Sequence, residues 1–254
     1  MNDRDTDRDW LSVASSNPYW GVLSAPEYMG ADIDADAKTT FFASGEAYVS
    51  NLIATIHRQI AADIALHRAL DFGCGVGRLA LPLARNFGRV VGVDVVPRML
   101  ELTRMNAAAA NVSNIDLVLG DDTLSQVEGT FDLVNTYIVL QHIPLARGYA
   151  LLRRLVDLIS VGGIGSLQLT YAKARRFIEH EAPRALYYRR DGGSIIDLVP
   201  AASAPPEGLI TMFDYDLNQV FALLQRYVKG PIIATPSDDD GHLGVHLVFR
   251  KTAI

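Results

Sequence analysis

Five short apolar runs, at residues 69–72, 89–93, 115–119, 131–137 and 165–170, constrain what this chain can fold into more than any other feature. Stretches of helical periodicity separate them. Apolar runs of strand length suit strands buried on both faces, and helical crossovers are what parallel neighbours require. The chain therefore reads as an α/β protein built from βαβ units. Helices are expected at 77–86, 97–110 and 144–159, with a shorter one at 123–127. Pro97 suits a first helical position, where its missing N–H needs no partner. Pro82 falls inside its predicted helix and implies a bend. Gly162 and Gly163 are expected to end the fourth helix.

The flanks have other textures. The opening nine residues, MNDRDTDRD, read as a solvated, frayed tail and lack the apolar centre of a signal peptide. Residues 10–40 look irregular. Helical periodicity then runs from about 39 to 66, with Ser44 as the expected N-cap and Val49, Ile53, Ile56 and Ile60 on one face. Prolines and glycines break up residues 172–210. A helix returns at 216–227, followed by strands at 232–235 and 245–249 joined by a long polar tip, PSDDDGHLG. Two parts result: a tail and helical lid segment, 1–66, and a core, 67–254, whose insertion at about 172–215 joins the lid.

At 254 residues the chain is long enough for one large α/β domain, and no apolar run reaches the roughly 18 residues of a membrane span. A net charge of −6 argues against nucleic acid, whose phosphates call for a basic surface. The one basic stretch, Lys173, Arg175, Arg176, Arg184, Arg189 and Arg190, is interleaved with acids. It reads as a solvated face, with docking of an acidic substrate as the lesser alternative. The single cysteine, Cys74, excludes an internal disulfide and a cysteine-based zinc cluster, and implies a cytoplasmic location. It reads as a small packing residue and not a nucleophile.

The chemistry concentrates at strand ends. Asp71-Phe-Gly73-Cys-Gly75-Val-Gly77 follows the first strand and opens a helix. Its glycines permit a tight turn and close approach of a ligand to backbone. Asp94 closes the second strand, where a carboxylate can accept both hydroxyls of a ribose. Asp121 follows the third, placed for an adenine edge. Acids at three successive strand ends line the crevice where open α/β sheets bind ligands.

The segments ALDFGCGVGRLALPLA, VVGVDVVPRMLELTR, LVLGDD and FDLVNTYIVLQHIP resemble the class I S-adenosylmethionine-dependent methyltransferases over about residues 68–172. The resemblance implies a Rossmann-like, mostly parallel seven-stranded sheet with an antiparallel last strand, and S-adenosylmethionine as cofactor. It places Asp71, Gly73, Gly75 and Gly77 at the methionine end, Asp94 at the ribose, Asp121 and the backbone of Asp122 at the adenine, and Asn135 to Tyr137 beside the methionine. Asp122 serves equally as a helix cap. FFASGE and DGHLG are similar to a bacterial subgroup acting on sugars and secondary metabolites. Glu46 either reaches the cofactor's amino group or solvates a helix.

His142 follows the fourth strand, where the methyl group is expected to point. A hydroxyl acceptor needs its proton removed, and an imidazole suits that task. Contact with cofactor or substrate, and a purely structural role, stand beside that reading. Asp238, Asp239, Asp240 and His242 at the hairpin tip can contact an acceptor or, with His142, a divalent metal; a solvated loop is the commoner use of such a run. Tyr19, Trp20, Tyr171, Phe213 and Tyr215 form either an aromatic acceptor pocket or ordinary core. The expected activity is O-methylation of a small molecule. N-methylation, a nicotinamide-dependent oxidoreductase and a non-catalytic cofactor-binding protein are the alternatives.

Overall fold

The computed structural model describes residues 6–174, 184–190, 194–200, 212–239 and 241–253. Strands β1 (Arg68–Phe72), β2 (Arg89–Asp94), β3 (Ile115–Leu119), β4 (Phe131–Thr136) and β5 (Ile159–Lys173) are joined in one sheet by β8 (Ile232–Asp239) and β9 (His242–Arg250). Their order is β3-β2-β1-β4-β5-β9-β8. The first five are mutually parallel, and β9 runs antiparallel to both neighbours. The seven-stranded Rossmann-like sheet with its antiparallel last strand is thus as expected. Within the insertion, β6 (Arg184–Arg190) and β7 (Ser194–Pro200) pair as a separate hairpin.

Strand alternation divides the core in two. Leu70, Phe72, Val134, Leu167 and Leu247 face helices α6 (Leu145–Leu158) and α7 (Leu217–Leu224). Ala69, Val90, Leu133 and Val248 face α3 (Ala35–Gln59), α4 (Ala80–Asn86) and α5 (Pro97–Ala109). Each buried Leu or Val contributes about 1.5–3 kcal/mol, so these two faces set the layer order.

Several local expectations are corrected. Residues 10–40 are largely helical: α1 (Thr6–Ser16), α2 (Pro18–Val22) and a 3₁₀ turn, Pro26–Tyr28, pack a third cluster through Ala14, Tyr19 and Tyr28 against Phe41 of α3. The charged opening is therefore not all tail, because Thr6 to Asp9 lie in α1; residues 1–5 are outside the described residues. Helix α3 starts nine residues before Ser44. Its N-cap is Asp34, which accepts from Ala37 N at 2.8 Å, while Ser44 donates to Phe41 O from mid-helix. Helix α4 starts at Ala80, so Pro82 sits in the first turn, where its missing N–H breaks no helical bond. Residues 123–127 form turns and not a helix.

Helix α6 ends at Leu158 without glycine. The buried Lys251 ammonium donates to the carbonyls of Val156, Asp157 and Ile159, which caps the helix C-terminus with a cation. Gly162 lies instead at the irregular start of β5, at φ +89°. The polar tip is shorter than expected, because β8 and β9 stay paired out to Asp239 opposite His242.

Candidate functional site

Topology gathers the C-terminal ends of β1, β2 and β4 on one edge. The glycine loop follows β1 with Gly73 at φ +75° and Gly75 at φ +55°. The N–H groups of Gly73 and Cys74 both donate to Val93 O, tying the loop to β2. A Cβ on Gly73 would lie 2.4 Å from Val139, and one on Gly75 2.6 Å from Val22. Gly77 serves packing, against Leu81 and Thr103. Cys74 is buried, and burial raises its thiol pKa, as befits a packing residue. Asp94 accepts from Gly75 N at 3.0 Å through one oxygen and from Val96 N at 2.9 Å through the other. Burial nevertheless pushes its pKa up to about 6. Each oxygen keeps a further lone pair for a hydroxyl.

Two cavities open beside this loop. The first is lined by Trp10, Gly73, Gly75, Asp94, Asp121 and His142, with apolar walls from Phe72, Val95, Met99 and Leu151. A paired-hydroxyl acceptor beside flat apolar walls fits an adenosine. The second is lined by Tyr48, Arg78, Gln141, Gln168, Asp238 and His242, among others. Val22, Tyr137 and Ile138 line both. Ile138 is at φ +61°, an outlier for a β-branched residue, and its N–H donates to Gln168 Oε1 at 2.9 Å.

A buried polar network lies behind the second cavity. Tyr48 Oη donates to Asn135 Oδ1 at 3.1 Å, and Asn135 Nδ2 donates to Asp71 Oδ1 at 2.9 Å. Ser166 Oγ joins Asn135 and lies 2.8 Å from His246 Nε2. Burial holds His246 down to about 4 and pushes Asp71 up to about 6. Asp71 and Asn135 therefore stand behind the cavity wall and shape it, while Tyr137 lines it.

The remaining expected site residues are placed as follows. Asp121 faces the first cavity, but its carboxylate accepts from the N–H and hydroxyl groups of Thr123 and Ser125, which lower its pKa. The Asp122 side chain pairs with Arg147, and does not cap a helix. Glu46 pairs with Arg85 and is absent from both linings, so it ties α3 to α4. His142 closes the 3₁₀ turn Leu140–His142 and meets the Trp10 ring edge-on at 4.9 Å, on the side of the first cavity. His242 is the histidine in the second.

The aromatic acceptor pocket does not form. Tyr19 is buried against Phe41 and donates to Asn106; Trp20 and Tyr171 pack on the apolar clusters; Tyr215 donates to Leu140 O; and Phe213 is buried. Apolar area outweighed their polar tips. Lys173 is no solvated residue either, since it forms a buried ion pair with Asp214. Sequence reasoning missed Trp10, Tyr48, Arg78, Ile138 and Gln168. Arg78 alone had a signal, its place directly after the last loop glycine.

Residues 69–163 match the family described as "Methyltransferase domain". Residues 69–163 are thus a methyltransferase domain. The chain is 39% identical over 82 residues to a ubiquinone biosynthesis O-methyltransferase of Methylocella silvestris, covering 32% of each protein. It is 35% identical over 108 residues to the 23S rRNA (uracil(1939)-C(5))-methyltransferase RlmD of a Shewanella species, covering 40% of this chain and 24% of that one. The chain thus spans about a quarter to a third of these two curated relatives. Over nearly full length its fold resembles the magnesium protoporphyrin IX methyltransferase of Synechocystis with bound S-adenosylmethionine, at 16% identity, TM-score 0.60 and 98% coverage of both chains. The N-methyltransferase NodS of Bradyrhizobium japonicum, in complex with S-adenosylhomocysteine, resembles it at 14% identity and TM-score 0.58, with 97% of this chain and 98% of that one covered. Among the described residues no helix is long and apolar enough to cross a membrane.

Proposed function

We propose that this protein transfers the methyl group of S-adenosylmethionine to a hydroxyl of a small molecule, with a sugar or secondary metabolite as the first candidate. The observation that supports this best is the pair of cavities sharing one wall at Val22, Tyr137 and Ile138. One cavity has the features an adenosine needs, the other is polar, and a methyl group crosses between them at the common wall. The cofactor supplies an electrophilic methyl carbon on a sulfonium. The chain has to hold the acceptor oxygen in line with it, which by itself contributes several kcal/mol.

In this reading Asp94 holds the ribose hydroxyls, the backbone of Gly73 and Gly75 lies along the cofactor, and Tyr137 and Ile138 shape the transfer point. Gln141, Gln168 and Thr170 supply hydrogen bonds to the acceptor. The acceptor's proton goes to His242, which lines its cavity, in preference to His142, which lines the other. Helix α1 is the lid over the adenosine, held by the ion pair of Arg147 with Asp7. The ubiquinone relative favours a hydroxyl acceptor, and a cytoplasmic location accords with the single buried Cys74.

The test is calorimetric titration with S-adenosylhomocysteine beside NADH, then quantification of S-adenosylhomocysteine formed from S-adenosylmethionine with catechol and sugar panels. Micromolar binding of the first, none of NADH, and acceptor-dependent turnover are expected. Binding of NADH alone sinks the proposal. His242→Ala should cut turnover at least tenfold with cofactor affinity unchanged, and His142→Ala should change cofactor affinity first.

A further inference from the structure

Ser44, Tyr48 and Thr170 line the second cavity with hydroxyls, and each spends its hydrogen on a protein oxygen. Ser44 Oγ donates to Phe41 O at 2.6 Å, Thr170 Oγ1 to Phe213 O at 3.0 Å, and Tyr48 Oη to Asn135 Oδ1 at 3.1 Å. A hydroxyl whose hydrogen is committed offers a ligand only lone pairs. Gln141 lines the same cavity, is 2% exposed, and its buried Oε1 has no hydrogen-bond partner. The turn that carries it is fixed: Phe213 N donates to Gln141 O at 2.6 Å, and Tyr215 Oη to Leu140 O at 2.9 Å. A buried acceptor left unpaired is costly, so in a cavity wall it marks where a ligand's donor belongs.

Asp238 and Asp239, at the end of β8, add two carboxylates, which when ionised can only accept. Asp238 Oδ1 takes Gly241 N at 2.6 Å, and neither carboxylate forms an ion pair among the described residues. Arg78 lies toward the wall shared with the other cavity, where its guanidinium stands 5.8 Å from the Tyr137 ring and Nη1 reaches Ser44 Oγ at 3.4 Å. Gln168 keeps its amide nitrogen as a donor, since its Oε1 is taken by Ile138 N. The rest of the polar lining named here accepts hydrogen bonds and is negatively charged.

The complement of such a lining is a group with several N–H donors and a positive charge. A hydroxyl has one hydrogen to give, whereas an ammonium has three and carries the charge. We propose that the acceptor is a hydroxylated amine, whose protonated amino group is held by Gln141 Oε1, Asp238 and Asp239 while its hydroxyl receives the methyl group. This rests on the reading of the second cavity as the acceptor site. The hydroxyl oxygen forms the new bond to the methyl carbon, the carbon–sulfur bond breaks with its electron pair passing to sulfur, and the hydroxyl proton goes to His242. The ammonium nitrogen has no lone pair and is recognised without being methylated. Gln141 is then a specificity-determining residue, because a site built around a substrate's donor rejects the analogue that lacks it.

The experiment uses two matched pairs of probes, titrated calorimetrically into protein saturated with S-adenosylhomocysteine. Dopamine is compared with 4-propylcatechol, which has a methyl group in place of the ammonium, and glucosamine with glucose. Wild type should bind the amine of at least one pair at least tenfold more tightly than its neutral partner, and raised salt should narrow the difference. Gln141→Met and the double variant Asp238→Asn/Asp239→Asn should each shrink that ratio at least threefold, with affinity for S-adenosylhomocysteine within about twofold of wild type. With S-adenosylmethionine, mass spectrometry should find the methyl group of the preferred amine's product on oxygen. Absence of preference in both pairs, including failure to bind either amine, overturns the proposal. So does a ratio that survives either variant, or a methyl group on nitrogen. Failure of wild type to bind S-adenosylhomocysteine overturns the cofactor reading instead.

Discussion

Replacing Asp71 by Asn should make the free protein's stability advantage grow with pH. Asp71 is 2% exposed, and burial pushes its pKa from 3.8 up to about 6. Folding therefore costs nothing extra at this group below pH 4, where both states are protonated. As pH rises through the window from about 4 to 6, the unfolded chain has released the proton and the folded chain still holds it. Stability falls across that window and stays lower above it. A shift of about two units corresponds to about 3 kcal/mol, of which about 2 kcal/mol develops between pH 4.5 and 8. Asn preserves the oxygen that accepts from Asn135 Nδ2 and removes the charge. Its amide N–H groups lack a partner where Oδ2 lacked one, but that cost is the same at every pH. Urea unfolding of both proteins at pH 4.5 and 8, followed by circular dichroism, measures the difference. The variant should gain on wild type by about 2 kcal/mol on going to pH 8. A pH-independent gap, or one that shrinks, would show that Asp71 is not held protonated by burial.

Asp94→Ala should weaken S-adenosylhomocysteine binding more than tenfold, and wild-type affinity should decline as pH drops below about 6, where Asp94 gains a proton; flat calorimetric titrations from pH 7.5 to 5 would contradict this. Gln168→Leu removes the acceptor of the Ile138 N–H and should cost about 1–3 kcal/mol. Adding Ile138→Gly should recover about 1 kcal/mol by relieving the left-handed backbone, and a double variant no more stable than Gln168→Leu would argue against strain there. Arg147→Ala cuts the ion pair with Asp7 that holds α1, so stopped-flow dissociation of S-adenosylhomocysteine should accelerate several-fold, and an unchanged rate would show that α1 does not gate the cavity.

Much of the fold was legible because its determinants are local. Apolar runs of strand length, Pro97 at a helix start and the glycine loop between strand and helix mark β1 to β4 and α5 within a residue or two, while β5 starts six residues before its apolar run. Asp94 was legible for the same reason, since a strand's C-terminal end is a position along the chain. Where local signals competed, tertiary contacts decided. Gly162 looks like a helix stop, yet Lys251, more than ninety residues away, caps α6. Tyr19, Tyr171 and Tyr215 look like a binding wall, but nothing local reports which apolar cluster takes them. His142 and His242 carry the same chemistry in sequence, and only the packing of Trp10 and the register of β8 with β9 assigns them to different cavities. By itself, the sequence determined a parallel α/β core and the strand end where a cofactor belongs, because backbone periodicity and glycine conformation act over a few residues. Only the tertiary structure decided that Arg78 is buried short of partners, that Ile138 is strained and that two cavities meet at one wall, because burial and hydrogen-bond satisfaction depend on distant segments.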